Sequence, residues 1–247
     1  MMHIEVVANI GEARSDDFLH KTVIVVDVLR ATSTIITALI NGCKAIVPVE
    51  TVLKAKELYH EDDLLGGERF CKKIPGFDFG NSPLEYTREA VQGKRIILTT
   101  TNGTRGIQKA MKADQVLAGA LLNSRACAKA AIDFKRDTVI VCAGTQDVFS
   151  LEDGLCAGLI LEEIALEIGE KNVVINDFGL AMRGCYLKTK DSLYETLLTC
   201  CNGKKMTKLG FQADIVWCAK PNITDQVPVL EGDQMVLLHR CLPRPTF

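Results

Sequence analysis

Val23-Ile24-Val25-Val26 is an unbroken β-branched run that stops at Asp27. A short apolar run of that kind predicts a strand covered on both faces. Arg30 and the hydroxyls of Thr32, Ser33 and Thr34 follow and open an apolar helical pattern, which Asn41-Gly42 is placed to stop. Residues 43–49 predict a further strand, and Thr51 caps a helix carrying Val52, Ala55 and Tyr59. A first strand is expected over 4–8, then a loop over 9–21. Strands alternating with helices are the signature of a layered α/β fold.

The same order recurs further on. Residues 95–98 predict a strand, 99–104 a polar turn, 106–112 a helix and 116–121 a strand, and Asn123-Ser124 caps a helix to about 134. A constant shift of 72 residues lays 21–60 over 93–132, with Asp27 on Thr99, Arg30 on Asn102, Thr32 on Thr104 and Thr51 on Asn123. Two similar halves, whose polar strand-to-helix turns face one cleft, are the expectation. Between them, Leu64-Leu65-Gly66-Gly67-Glu68-Arg69 reads as a glycine-rich loop. Ser82-Pro83-Leu84-Glu85 reads as a capping box opening a helix closed by Gly93.

A third strand–turn–helix unit covers 138–142, 143–149 and a helix capped by Ser150 that runs to about 168. A strand at 173–175 and helices near 177–188 and 191–201 come next, ended by Asn202-Gly203. The tail reads as strands at 213–218, 228–230 and 235–238, with 243–247 frayed. The expected architecture is α/β: a layered α/β/α arrangement around a mixed sheet, with an internal duplication and a β-rich C-terminal tail. Residues 1–247 form a single catalytic domain in this reading, as one body or as two lobes.

Composition narrows the partners. With 247 residues, 47% hydrophobic and 24% charged, the chain has the makeup of a globular protein with a substantial core. A net charge of −2 argues against nucleic acid and anionic membrane surfaces. No apolar run approaches the roughly 18 residues of a membrane-spanning helix, and no signal peptide opens the chain, so a cytoplasmic protein is expected. The ten cysteines are scattered without a CxxC pair, which reads as reduced core thiols and no zinc site.

Phosphate-binding GxxxxGK[ST], GxSxG, HExxH and GxGxxG motifs are absent, and the four histidines sit away from the turns. What remains is a set of acids, hydroxyls, amides and Arg at strand-to-helix junctions, where open α/β sheets bind ligands. Asp27 either caps its helix or pairs with Arg30, or else binds a metal or acts in catalysis. Thr32, Ser33 and Thr34 cap the same helix or serve an anion. Thr99-Thr100-Thr101-Asn102-Gly103-Thr104 is a phosphate cradle or a plain Asn-Gly turn. Glu68 and Arg69 form a surface pair or join the site. Glu152 and Asp153 stabilise a helix start through its dipole, or Asp153 ligates a metal. Cys142, at a strand end, is a candidate nucleophile with no visible base to activate it.

Val26-Asp27-Val28-Leu29-Arg30-Ala31-Thr32-Ser33, Gly66-Gly67-Glu68-Arg69, Gly80-Asn81-Ser82-Pro83, Thr100-Thr101-Asn102-Gly103-Thr104 and Leu151-Glu152-Asp153-Gly154-Leu155-Cys156-Ala157-Gly158 stand in the order of one family. Over nearly its whole length the chain resembles the 2-phosphosulfolactate phosphatases. That resemblance implies magnesium-dependent hydrolysis of 2-phospho-3-sulfolactate, or a related small phosphorylated 2-hydroxy acid, to the alcohol and phosphate; in methanogens this is a step towards coenzyme M. Carried over motif by motif, it makes Asp27, Glu68 and Asp153 the acids for Mg2+. Arg30, Thr32, Ser33, Arg69, Thr101, Asn102 and Thr104 become the groups for phosphate and sulfonate, with Asp27, Arg30 and Asn102 at the chemistry. That division of roles is inferred from chemistry, and whether Asp27 is nucleophile or metal ligand stays open. Two other classes remain: a non-catalytic small-anion-binding module and a hydrolase using Cys142. The partner is a small anionic substrate; a homodimer is common among proteins of this kind.

Overall fold

The computed structural model describes residues 1–238, so the expected frayed end at 243–247 lies outside the described residues. Strands β1 (Met2–Val7), β2 (Thr22–Val26), β3 (Ala45–Val49), β4 (Leu64–Arg69) and β5 (Lys72–Lys73) come first. Strands β6 (Arg95–Thr99), β7 (Gln115–Gly119), β8 (Thr138–Cys142), β9 (Val173–Ile175), β10 (Pro228–Glu231) and β11 (Gln234–Leu237) follow. All join one sheet of order β5-β4-β6-β3-β11-β10-β7-β2-β8-β1-β9. Helices α1 (Ala31–Ile40), α2 (Val52–Leu58), α3 (Arg88–Val91), α4 (Gly103–Lys109) and α5 (Ser124–Phe134) interleave with the strands. After them come α6 (Leu151–Ile168), α7 (Asp177–Thr189), α8 (Leu193–Thr199), α9 (Cys201–Lys208) and α10 (Gln212–Cys218).

The layers follow from the period-two alternation of strands. Ile24 and Val26 of β2 face a core shared with α5, α6 and α7. Val23 and Val25 face the other, with Ile35 of α1 and Ile107 of α4. The β-branched run is therefore buried on both sides, in a layered α/β fold with a mixed sheet. Elements recur in order as β2-α1-β3-α2 and β6-α4-β7-α5. Each unit's first strand pairs in parallel with the other's second: β2 with β7, β3 with β6.

Between those pairs sits the β10–β11 hairpin, antiparallel to both flanks. The two parallel sections consequently run in opposite senses. In a flat sheet the ends of β2 and β6 would lie on opposite edges. Here α4, which leaves β6, packs against β2 as well as β3. The two polar turns meet there, with Gly103 at the start of α4 packed against Asp27 and Ala31.

Four expectations change. Residues 64–69 are not a loop but β4, parallel to β6. Its glycines answer a need for close approach: a Cβ at Gly67, whose φ is +152°, would lie 2.2 Å from the Thr99 carbonyl oxygen. Residues 213–218 are helical, with Asp214, Ile215 and Cys218 buried on one side and Val216 exposed; a short apolar run carries no period long enough to separate strand from helix. The tail therefore contributes one hairpin, and it enters the middle of the sheet. The Ser82–Glu85 capping box does not form, because Glu85 takes the Gly80 N–H and Ser82 donates to Asp214. Asn202-Gly203 opens α9 instead of closing a helix: Cys200 Sγ accepts the Gly203 N–H, and a side chain at 203 would run into the Leu197 carbonyl.

Candidate functional site

Asp27 follows the last residue of β2 and is held where two helices begin. Its Oδ1 accepts the Ala31 N–H at 3.2 Å, at the start of α1. Its Oδ2 faces Gly103, the first residue of α4, so closely that a Cβ there would lie 2.7 Å from it and 2.4 Å from Ala31 Cβ. Two positive dipole ends thus converge on one carboxylate. Thr32 fixes the turn: its Oγ1 accepts the Asp27 N–H at 2.9 Å and donates to the Asp27 carbonyl at 2.8 Å. Ser33 Oγ donates to the Val28 carbonyl at 2.8 Å. Both hydroxyls serve backbone, as helix-start hydroxyls commonly do.

The second turn repeats the clasp one residue later. Thr104 Oγ1 accepts the Thr100 N–H and donates to the Thr100 carbonyl, each at 3.1 Å. The hydrogen-bonding counterpart of Asp27 is thus Thr100, because this turn is one residue shorter than a gap-free shift places it. Glu68, at the end of β4, braces it: Oε1 accepts from Thr101 N and Oγ1 at 2.9 and 2.8 Å, and Oε2 accepts from Cys71 N at 2.7 Å.

Asp27, Arg30, Glu68, Thr101 and Asn102 line one pocket, with Leu29, Phe70, Cys71, Asn81, Thr100, Thr145, Gln146, Asn202 and Lys205. The pocket opens to solvent, and about 540 Å³ of non-atom space lies within it when that open mouth is counted. Thr32, Ser33, Thr104, Arg69 and Asp153 are not in its lining. Arg69 turns away, donating to the Glu50 and Glu68 carbonyls and to Thr99 Oγ1. Asp153 is buried, with Oδ1 on the Val28 N–H and Oδ2 on the Gly144 N–H, and so ties the β2–α1 turn to the loop after β8. Arg30 pairs with Asp214 at 2.5 Å, not with Asp27, and stacks on Phe211 at 4.4 Å. Cys142 is fully buried outside the pocket; burial and nearby Asp153 hold its thiol well above the usual range, which leaves it unsuited to attack.

Charge in this corner is lopsided. Asp27, Glu68, Glu152, Asp153 and Asp214 are all buried, whereas Arg30 is the buried guanidinium among them, already paired with Asp214. Burial, then the charges of Glu68 and Glu152, push Asp27 up to about 7 against the helix-start N–H groups that pull it down. Asp153 is raised by burial, Glu152 and Asp27. Among the described residues, no ion pair involves Asp27 or Glu68, and no group of three His, Cys, Asp or Glu side chains is arranged to hold a metal unaided.

Residues 9–233 match the family described as 2-phosphosulpholactate phosphatase. A "Probable 2-phosphosulfolactate phosphatase" of Clostridium tetani (strain Massachusetts / E88) is 39% identical over 230 residues, covering 92% of this chain and 97% of the relative. One of the same name from Symbiobacterium thermophilum is 41% identical over 228 residues, covering 91% and 97%. The chain belongs to the 2-phosphosulfolactate phosphatase family.

In this 2-phosphosulfolactate phosphatase family member, several pocket residues carry no local sequence signal. Asn202 and Lys205 stand on α9, which a helix stop at Asn202-Gly203 hides. Asn202 Nδ2 donates to Glu152 Oε1 at 2.6 Å and to Thr145 Oγ1 at 2.8 Å, joining α9 to the start of α6. Asp214, which orients Arg30, lies in the segment that reads as a strand. Asn81 belongs to a motif in family order, but nothing in its spacing marks it as a pocket residue. No helix among the described residues is long and apolar enough to cross a membrane.

Proposed function

We propose that this chain hydrolyses 2-phospho-3-sulfolactate, or a closely related small phosphorylated 2-hydroxy acid, to the free alcohol and phosphate, using Mg2+. The reading rests on the excess of buried acid in this corner: Asp27 and Glu68 line the pocket and Glu152, Asp153 and Asp214 are buried behind it, against one guanidinium that is already paired with Asp214. Buried charge without a partner is costly, and a divalent cation held by Asp27 and Glu68 would offset it. Those residues fit magnesium, which commonly takes one or two protein carboxylates and fills its other positions with water and substrate phosphate. Asp27 and Glu68, which line the pocket, would hold the ion; Asp153, outside that lining, positions the Asp27 turn through the Val28 and Gly144 N–H groups instead. A bound Mg2+ supplies charge neutralisation and polarisation of the phosphoryl oxygens.

The remaining groups bind and orient. Phosphoryl transfer depends mostly on positioning and on stabilising charge over the phosphoryl oxygens. Arg30, fixed by Asp214 and Phe211, presents a rigid cationic fork to an anionic substrate. Asn102, from the second turn, brings its amide to the same pocket, while Thr101 spends both its donors on Glu68. Water contributes the hydroxyl that ends on phosphorus and the proton that ends on the alcohol as the ester P–O bond breaks. Asp27 acts as a ligand in this scheme, its oxygens tied to the starts of α1 and α4.

The test is phosphate release from a panel of phosphorylated hydroxy acids, with and without Mg2+. Rapid release from 2-phospho-3-sulfolactate that stops in EDTA and returns with Mg2+ is expected. Equal turnover in EDTA would end the metal-dependent reading. Saturable sulfolactate binding without turnover of any ester would support the anion-binding module instead.

A further inference from the structure

Asn81 is an anomaly in this pocket. It is 5% exposed, and its Oδ1 is buried with no hydrogen-bond partner among the described residues, a condition shared only with Thr22 Oγ1. Native interiors rarely leave such an atom unpaired without a reason. Its backbone cannot drift to relieve the fault, because the Asn81 carbonyl accepts the Thr34 Oγ1 hydrogen of α1 at 2.9 Å. The next residue, Ser82, donates to Asp214 Oδ1 at 2.7 Å, and Asp214 Oδ2 holds Arg30 NH1. Arg30 and Asn81 thus share one support, and both line the pocket. The amide nitrogen Nδ2 is neither fully buried nor hydrogen-bonded among the described residues, so Asn81 keeps a donor uncommitted.

Lys205 of α9 lines the same pocket, and among the described residues no carboxylate lies within ion-pair range of it. Its neighbour Asn202 is committed to Glu152 and Thr145. The pocket therefore offers two kinds of wall. Asp27 and Glu68 suit a cation and the phosphoryl group bridged to it. Arg30, Asn81 and Lys205 offer donors and positive charge without a partnering acid of their own beyond Asp214.

We propose that Asn81 and Lys205, with Arg30, form a second anion subsite that grips the acidic group on the substrate's carbon chain, and so set which phosphate esters the pocket accepts. This rests on the phosphatase reading above. A carboxylate and a sulfonate share the chemistry that such a subsite recognises: fixed oxygen acceptors with delocalised negative charge. The subsite would discriminate by leaving donors unpaired when that anion is missing, an effect worth more than the contact alone.

The experiment compares wild type, Asn81→Ala and Lys205→Met on 2-phospho-3-sulfolactate, 2-phospholactate and phenyl phosphate, with thermal melts confirming that each variant folds. The quantity read is kcat/KM for each acid ester divided by that for phenyl phosphate. A fall of roughly tenfold or more in both variants, carried by KM, is expected for loss of a charge-assisted contact. A fall confined to the sulfolactate ester assigns the subsite to the sulfonate; a fall for both acid esters assigns it to the carboxylate. If wild type turns over these esters and both variants keep its ratios, the subsite is overturned while the phosphatase stands. If wild type hydrolyses none of them, the phosphatase reading fails, and sulfolactate titration calorimetry decides the subsite. Binding weakened in both variants sustains it, whereas equal binding in all three proteins, or none in wild type, removes it.

Discussion

The β2–α1 and β6–α4 turns are built alike and equipped differently. In each, a threonine four or five residues into the turn clasps the N–H and carbonyl of the residue leaving the strand: Thr32 on Asp27, Thr104 on Thr100. One clasped residue is a carboxylate and the other a hydroxyl. The shared part is architecture, since it satisfies backbone groups that a strand-to-helix junction would otherwise leave bare. The unshared part is where the charge sits. An acid in place of Thr100 would add to the repulsion that Glu68 and Glu152 already exert on Asp27, and a hydroxyl there does not.

If that division is right, exchanging functional groups separates the turns and removing the clasps does not. Asp27→Asn should lower magnesium-dependent kcat/KM by at least ~100-fold, the size expected for losing a charge-stabilising group; Thr100→Ala should lower it by about tenfold or less. Comparable losses in steady-state assays would erase the distinction. Gly103→Ala drives a methyl group into Ala31 and Asp27 where the turns touch. It should destabilise the fold by about 1–3 kcal/mol in urea titrations and depress activity beyond that loss. Thr32→Val and Thr104→Val, each deleting one clasp at nearly constant volume, should cost about 1–3 kcal/mol apiece. A large inequality between them would argue that the two turns are not equivalent supports.

Acidity gives the gentlest probe. Asp27 is raised from 3.8 to about 7, so the metal-free folded chain holds that proton where the unfolded chain has released it. Stability carried by this group is therefore present at low pH and falls as pH rises from about 4 to about 7. Melting without metal should drop across that window in wild type more than in Asp27→Asn, and Mg2+ should oppose the drop most above pH 7. Superimposable wild-type and Asp27→Asn profiles would remove Asp27 as the source.

The sequence makes the first turn legible because burial and chemistry coincide there: a run covered on both faces has to end, and Asp27, Arg30 and Thr32 are what it ends on. It also shows that hydroxyls cluster at 99–104. It does not show that Thr32, Ser33 and Thr104 spend their hydroxyls on backbone, since a cap and an anion cradle use the same residue types. β4 is obscured because Gly66 and Gly67 answer a steric demand from Tyr86 and Thr99 that only the folded chain imposes. Asn81, Asn202 and Lys205 reach the pocket, and Asp214 reaches Arg30, through long-range packing, which no local period encodes.

The β10–β11 hairpin decides when the molecule can be completed. Residues 228–237 fill the gap between β3 and β7, so a ribosome releases the sheet's keystone after nearly everything around it. Until then the nascent chain has two open strand edges in its interior, the kind of surface that recruits foreign strands. Zipping them shut depends on partners more than a hundred residues upstream, which favours slow closure.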